Sequence, residues 1–464
     1  MSAKSEAKDL TGGNLWKNII LFSLPLIASN LLQVLFNLSD MAIVGNFAEN
    51  GANAMGAVGS TTMTVNLFTG FLIGLGGGIN VVVATAFGAA DKDGVEKSVH
   101  SAAVIAPLIG IILALLGFFG ARPILSLLDT KPLLIDEAEL YLRIYFLGMP
   151  AVAIYNFGNG LYSAVGDTKK PLIFLSISGV VNILLNMFFV IVCKMSVAGV
   201  ALASIISQYL SAFLILLFLF RSKEIFGLRF KKLRFDSEKT KKILFLGIPA
   251  GLQNAIFSIA NMFIQKAYNS FDTVTVDGIA AAAQADPIVY DVQAAFYMAC
   301  SSFIGQAYGH KNKKIILKSY FISMFYAFIA GAILGLSLAL FSHQFVSLFT
   351  SDEAVIEAAK IRLGVMSYSY MISAFMDAPI AASRGIGKTV IPTISVIMGS
   401  CVFRIVWVYT IFAYFKTLIS LFLLYVFSWV ITAIAENIYF FVALKKVTKS
   451  FASDPEELRT VTTK

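Results

Sequence analysis

The chain is a succession of apolar stretches, each long enough to cross a bilayer, and this restricts its fold more than any other feature. Some 30 Å of hydrocarbon offers no partner to a peptide N–H or C=O, so only a helix or a closed barrel can span it. Stretches of helical length begin near Asn18, Gly56, Val99, Leu133, Leu172 and Val197, and again near Ile243, Ile279, Ile315, Val355, Thr393 and Leu418. The expectation is an all-α polytopic membrane protein with about twelve transmembrane helices. Composition agrees: 58% of residues are hydrophobic, only 14% are charged, and the mean hydropathy is +0.80. Soluble domains carry charge on about a quarter of their residues.

The second half of the sequence is a worn copy of the first. Pro25 in FSLPLIASNLLQVLFN recurs as Pro249 in LGIPAGLQNAIFSIAN, and at the same offset of about 224 Asn30 and Asn37 meet Asn254 and Asn261. Further on the offset is about 221: Gly88, Lys92, Lys97 and Ser98 align with Gly309, Lys313, Lys318 and Ser319, and GDTKKP (Gly166 to Pro171) aligns with GKTVIP (Gly387 to Pro392). Six helices per half is an even number, so both halves enter the membrane from the same side and the repeats are expected to be parallel. Two similar bundles rocking about a site held between them is a common plan for a secondary transporter.

Lys and Arg accumulate in cytoplasmic loops. The connection between the sixth and seventh spans carries Arg221, Lys223, Arg229, Lys231, Lys232, Arg234, Lys239, Lys241 and Lys242, and the other even-numbered loops bring the total to roughly nineteen; the odd-numbered loops offer Arg122, Lys131, Lys194 and Lys416. Both termini are therefore expected in the cytoplasm, with the protein in the cell membrane. The same rule explains the net charge of +9, so that charge implies no nucleic-acid partner. The chain divides into an N-terminal segment (1–14), a first lobe (15–220), a basic linker (221–240), a second lobe (241–448) and a cytoplasmic tail (449–464). The linker reads either as an amphipathic segment lying on membrane lipid or as a solvated charged connection. The first span is too long for a signal-peptide core and lacks a small-residue cleavage site, so it should be retained.

A charged side chain at bilayer depth costs at least ~2.5–3.5 kcal/mol, so each one should face protein or a wet cavity. The residues in question are Asp40, Arg143, Lys266, Asp286, Asp291, Asp377, Arg404 and Glu436. Asp40 lies about 22 Å along its helix from Pro25, and its counterpart in the second half is Ile264. An acid on one repeat alone suits the binding of a proton or Na⁺; the alternative is an acid solvated near a helix end. Asn182 and Asn186 share one helix face, as do Ser204 and Gln208 on the next helix. With Asp40, the residues Asn182, Asn186 and Ser204 would form a polar pocket inside the first lobe, unless they serve only as interhelical glue. In the second lobe Asp377 occupies the place of Asn156, while Asp286 and Asp291 flank Pro287, which should kink the helix and free a carbonyl near Ala283. Arg404 and Glu436 could pair with these acids or with each other, and a structural pair is the favoured role for Arg404. Asn37, Tyr155, Asn156, Asn261, Gln284 and Tyr290 are candidates to line a substrate cavity, the rings being suited to flat hydrophobic cations.

The glycine run GFLIGLGGG has no phosphate-binding lysine and reads as close helix packing. The three cysteines suit neither a metal site nor a disulfide framework. With no triad, metal cluster or nucleotide motif, neither an enzyme nor a cofactor is expected.

LPLIASNLLQVLFNLSDMAIVG, ATAFGAADKD, YSAVGDTKKP, VAGVALASIISQ, SSFIGQAYGHKN and ASRGIGKTVIP, in this order, resemble the multidrug and toxic compound extrusion (MATE) transporters. The resemblance runs from about Leu15 to Lys446. It implies two six-helix lobes in a V around a central cavity, and export of organic cations or other amphipathic compounds in exchange for H⁺ or Na⁺; a monomer is expected. It implies a first-lobe cation site at Asp40, Asn182, Asn186 and Ser204, and a second-lobe acid at Asp377. Many members carry a second acid where this chain has Asn186, a departure that lowers the pocket's charge by one. The glutamate some members have on the seventh helix is missing here; Asp286 or Glu436 would have to replace it. A lipid-linked oligosaccharide flippase of the same superfamily is the alternative, though it would want more Arg and Lys in the cavity than Arg143, Lys266 and Arg404 supply.

Overall fold

The computed structural model describes residues 8–451, apart from the side chains of Ser258, Met262 and Ser450. The expected N-terminal segment and tail therefore lie largely outside the described residues. Every regular element among those residues is helical. The first half contains α1 (Leu15–Phe47), α2 (Gly51–Gly88), α3 (Lys92–Leu127), α4 (Pro132–Phe146), α5 (Met149–Ala164), α6 (Lys169–Met187) and α7 (Ser196–Arg221). The second contains α8 (Ser237–Tyr268), α9 (Thr273–Ala283), α10 (Ala285–Gly309), α11 (Lys313–Leu340), the short α12 (Ser342–Val346), α13 (Glu353–Gly385), α14 (Val390–Val396), α15 (Phe403–Trp407), α16 (Ala413–Phe415) and α17 (Leu418–Phe451). Phe188–Val192, Ile397–Val402 and Val408–Phe412 are π-helical turns, so α14 to α16 run on as one length, Val390–Phe415.

Among the described residues nine helices are long and apolar enough to cross a membrane, and α4 with α5, bent by 50°, makes a tenth. The remaining two expected spans are α9–α10 and α13, both helical over the required length. Both carry charge, Asp286 and Asp291 on α10 and Lys360, Arg362, Asp377 and Arg384 on α13, together with Ser, Tyr and Gln, and neither is among the helices apolar enough to qualify. The protein is a multi-pass membrane protein.

Duplication is written into the backbone. Ala90 and Lys311, at the same place in the two copies, adopt φ of 53° and 55°, and Gly166 and Gly387 adopt 83° and 75°. The copies differ in which span is interrupted. The first copy breaks its fourth span between Phe146 and Met149, whereas α13 runs through the equivalent stretch. The second copy breaks its eighth span at Gln284, whereas α2 is continuous there. Proline explains both. Pro150 has no N–H for the Phe146 carbonyl, and its counterpart in α13 is Met371; Pro287 has none for the Ala283 carbonyl, and its counterpart in α2 is Asn66.

The chain folds into two compact units. One comprises Leu24–Val83 and Asp91–Ser258; within it α3 packs on α4 and α5, and α7 packs on α4, α5 and α6. The linker is docked in this unit. Phe226 and Leu228 are buried, the Arg229 N–H donates to His100 Nε2 (3.0 Å), the Asp236 N–H donates to Ser101 Oγ (3.0 Å), and Lys232 pairs with Glu96 (2.8 Å). The other unit comprises Asp9–Ser23, Ala84–Ala90 and the chain from Ile259 onward. Its centre is α13, which packs against α9, α10, α11 and α17. Gly88 and Gly309 meet within it reciprocally: a Cβ at Gly88 would overlap the Gln306 carbonyl, and a Cβ at Gly309 would overlap the Thr85 carbonyl. Only glycine lets the two helix ends touch backbone to backbone.

Candidate functional site

In the first unit α1, α6 and α7 bring Asp40 together with Asn182, Asn186 and Ser204. The approach depends on a residue without a side chain: a Cβ at Gly179 would strike the tip of the Phe36 ring, one turn before Asp40 on α1. Asn182 and Asn186, four apart, project from the same side of α6. Asn186 Nδ2 donates to Asp40 Oδ1 (2.5 Å) and to Asn182 Oδ1 (3.2 Å), and the Ser204 hydroxyl donates to Asp40 Oδ2 (3.2 Å). All four side chains are buried, Asp40 being 8% exposed. The carboxylate is thus met by neutral donors, and among the described residues no Lys, Arg or His forms an ion pair with it. Asn186 Oδ1 is buried without a hydrogen-bond partner. Rotating that amide would turn the oxygen toward Asp40, an arrangement that only a proton or a metal cation between them could hold. Two carboxylate oxygens and two amide oxygens make a hard-donor set suited to H⁺ or Na⁺. The stacked rings of Tyr141 and Tyr145, 5.8 Å apart, lie within electrostatic reach of Asp40 and wall the pocket on the α4 side.

The second unit holds two polar groups along α13. Asp377 and Glu436 are buried, Glu436 completely, and Asp377 Oδ2 and both Glu436 oxygens have no hydrogen-bond partner among the described residues. Arg384 lies within electrostatic reach of both acids. About four turns earlier on α13, Arg362 Nη2 donates to Asp286 Oδ2 (2.5 Å), and the Tyr370 hydroxyl donates to Asp286 Oδ1 (2.5 Å). Arg404 donates from Nε to Ser428 Oγ (3.1 Å), and its guanidinium lies 4.5 Å from the Tyr425 ring centre.

Several expectations are thereby placed. The partner of Asp286 is Arg362, a residue absent from the sequence-derived candidates. Asp291 is half-buried on α10. Of the candidate cavity residues, Asn37 and Asn261 are exposed on α1 and α8, Gln284 is exposed at the α9–α10 break, and Tyr290 is exposed on α10. Tyr155 and Asn156 are half-buried, and the Asn156 amide donates to the Val152 carbonyl (2.9 Å). Gly179, Arg362 and Arg384 are the additions; the expectation that Asp286 needs a buried partner was the signal that could have led to Arg362.

Comparison with known proteins returns the same repeat. The MatE family model matches twice, over residues 25–188 and 249–410. The chain is similar to the probable multidrug resistance protein YpnP of Bacillus subtilis (strain 168), 33% identical over 309 residues, covering 67% of this chain and 68% of that protein. It is also similar to the probable multidrug resistance protein YoeA of the same organism, 27% identical over 390 residues, covering 82% and 83% of the two chains. Among solved structures, a MOP superfamily transporter from Pyrococcus furiosus superposes with a TM-score of 0.89 at 21% identity, covering 96% of this chain and 99% of the other. That likeness concerns the fold.

Proposed function

The chain belongs to the multidrug and toxic compound extrusion (MATE) family of transporters, and from that premise we propose that it is a secondary antiporter, exporting organic cations or other amphipathic compounds in exchange for H⁺ or Na⁺. The relatives' names, with their multidrug resistance, support the substrate class. One observation carries the coupling: among the described residues Asp40 is a buried carboxylate held by the neutral donors Asn186 and Ser204 alone. A buried anion without a counter-charge is costly, so the pocket favours a state in which a cation or proton has joined it. Loading from outside neutralises Asp40 and allows α1, lying on Gly179 through Phe36, to repack; release inside restores the charged, substrate-accepting state. Coupling requires that ion and substrate differ in affinity for the two states. The second-lobe acids Asp377, Glu436, Asp286 and Asp291 are further candidates for ion traffic, with both termini cytoplasmic and a monomer as the working unit.

The test is efflux of a fluorescent organic cation from proteoliposomes under separately imposed Na⁺ and pH gradients. Asp40→Asn should retain substrate binding and lose the gradient dependence of efflux. A variant that still responds to the gradient as wild type does would overturn the assignment.

A further inference from the structure

The place that Asp40 and its neighbours occupy in the first unit is occupied in the second by groups of opposite sign. At the repeat offset of about 221, Tyr141 beside Asp40 corresponds to Arg362, and Ser204, which donates to Asp40, corresponds to Tyr425. Where α1 offers a carboxylate, α8 offers Ile264 and then Tyr268, whose hydroxyl lies 3.1 Å from that of Tyr425. Two guanidiniums reach this spot. Arg362 is 2% exposed and Arg404 3%, and both lie within electrostatic reach of the Tyr268 and Tyr425 phenols.

Arg362 is the telling member. Of its three nitrogens only Nη2 has a partner, Asp286; Nε and Nη1 are buried and lack any acceptor among the described residues. The phenols do not relieve this, since Tyr370 spends its proton on Asp286 and Tyr268 and Tyr425 face each other. Buried guanidinium N–H groups are costly when unpaired. The surroundings thus supply charged and phenolic donors in excess of acceptors, the complement of an anion. Asp286 engages Nη2 alone and leaves the Nε and Nη1 donors, which point to different sides of the guanidinium, open. Its own side chain is 38% exposed, which leaves the cluster a way in beside the α9–α10 break.

We propose that the second unit binds a small monovalent anion, chloride or a carboxylate group of similar size, on an open N–H of the Arg362 guanidinium, with the Tyr268 and Tyr425 hydroxyls turned toward it. The ligand is opposite in charge to the one expected at Asp40, and its binding is independent of that reading. Occupied, the site ties α13 and α8 together around the anion.

Purified full-length protein, exchanged into a bulky organic sulfonate such as isethionate, is titrated at constant ionic strength with chloride and separately with acetate, reading thermal unfolding and, for chloride, ³⁵Cl NMR line width. A saturable rise in Tm with either anion, and for chloride an excess line width displaced by bromide, is expected. Asp286→Asn removes the competing carboxylate and should tighten anion binding by about tenfold or more. The double variant Asp286→Asn with Arg362→Gln leaves neither charge alone and should lose the anion response. Should wild type show neither a saturable Tm rise nor displaceable line broadening, water satisfies Arg362 and the proposal fails, whatever the variants do. A response that survives in the double variant places the anion elsewhere and fails it equally.

Discussion

Asn186→Asp offers the sharpest test of the pocket around Asp40. The asparagine amide donates to Asp40 at 2.5 Å, so an aspartate there would set a second carboxylate against the first, with charge centres about 4 Å apart. At an effective dielectric near 20, two unit charges at about 4 Å repel by about 4 kcal/mol. No neighbouring side chain can relieve the repulsion, for the other contacts are the Asn182 amide and the Ser204 hydroxyl. A metal cation can, and the variant also gains a charged oxygen ligand. If the repulsion were relieved in full, Na⁺ affinity would rise by about three orders of magnitude, each 1.4 kcal/mol being tenfold. Partial protonation of the pair would take up some of this, so a tenfold gain is a conservative threshold. The assay is the Na⁺ concentration giving half-maximal thermal stabilisation of purified protein, with K⁺ as control at equal ionic strength. A variant whose half-maximal concentration is within tenfold of wild type, or which responds equally to K⁺, would refute the claim that Asn186 lies directly against Asp40.

Gly179→Val should displace the Phe36 ring and separate α1 from α6, costing about 1–3 kcal/mol as overpacking; an unchanged Tm would contradict the tight approach, and gradient dependence of efflux should weaken along with stability. Asp236 accepts the Lys239 N–H, and this bond, with Lys97 nearby, holds its carboxyl below the usual range. A depressed value in the folded state stabilises above the unfolded pKa and is lost as pH falls through the folded one. Protection of the amides at the start of α8, measured as exchange relative to the intrinsic rate at each pH, should therefore be high at neutral pH and fall in acid below pH ~4, a loss that Asp236→Asn should bring on already at neutral pH.

The sequence declared most of the fold because membrane spans are read from length and apolarity, and all twelve expected stretches are helical. The pocket at Asp40 was equally legible: a lone acid, and a pair of asparagines four residues apart on a greasy helix, leave few other ways to be satisfied. What escaped notice was relational. Pro287 announced a kink, but Pro150 drew attention only beside Met371, its twin in an unbroken helix. Gly179 looks like any helical glycine until Phe36 is laid on it. Arg362 sits among Glu353, Glu357 and Lys360, where an arginine reads as solvated, and its partner Asp286 is 76 residues away.

The Arg362–Asp286 pair also bears on how the chain enters the membrane in the first place. Spans are delivered one after another, and α13 carries Arg362 and Asp377 into the membrane, where a charged residue at the centre of an isolated helix is penalised by about 2.5–3.5 kcal/mol. Neither α13 nor α9–α10 passes as a span on its own composition, so each is poorly suited to partition alone. The earlier one should linger at the translocon, or only partly embedded, until α13 emerges and its arginine neutralises the waiting aspartate. Biogenesis of the second half then has a checkpoint: a nascent chain arrested before residue 353 should leave α9–α10 accessible to aqueous labelling, and one extended past residue 385 should not.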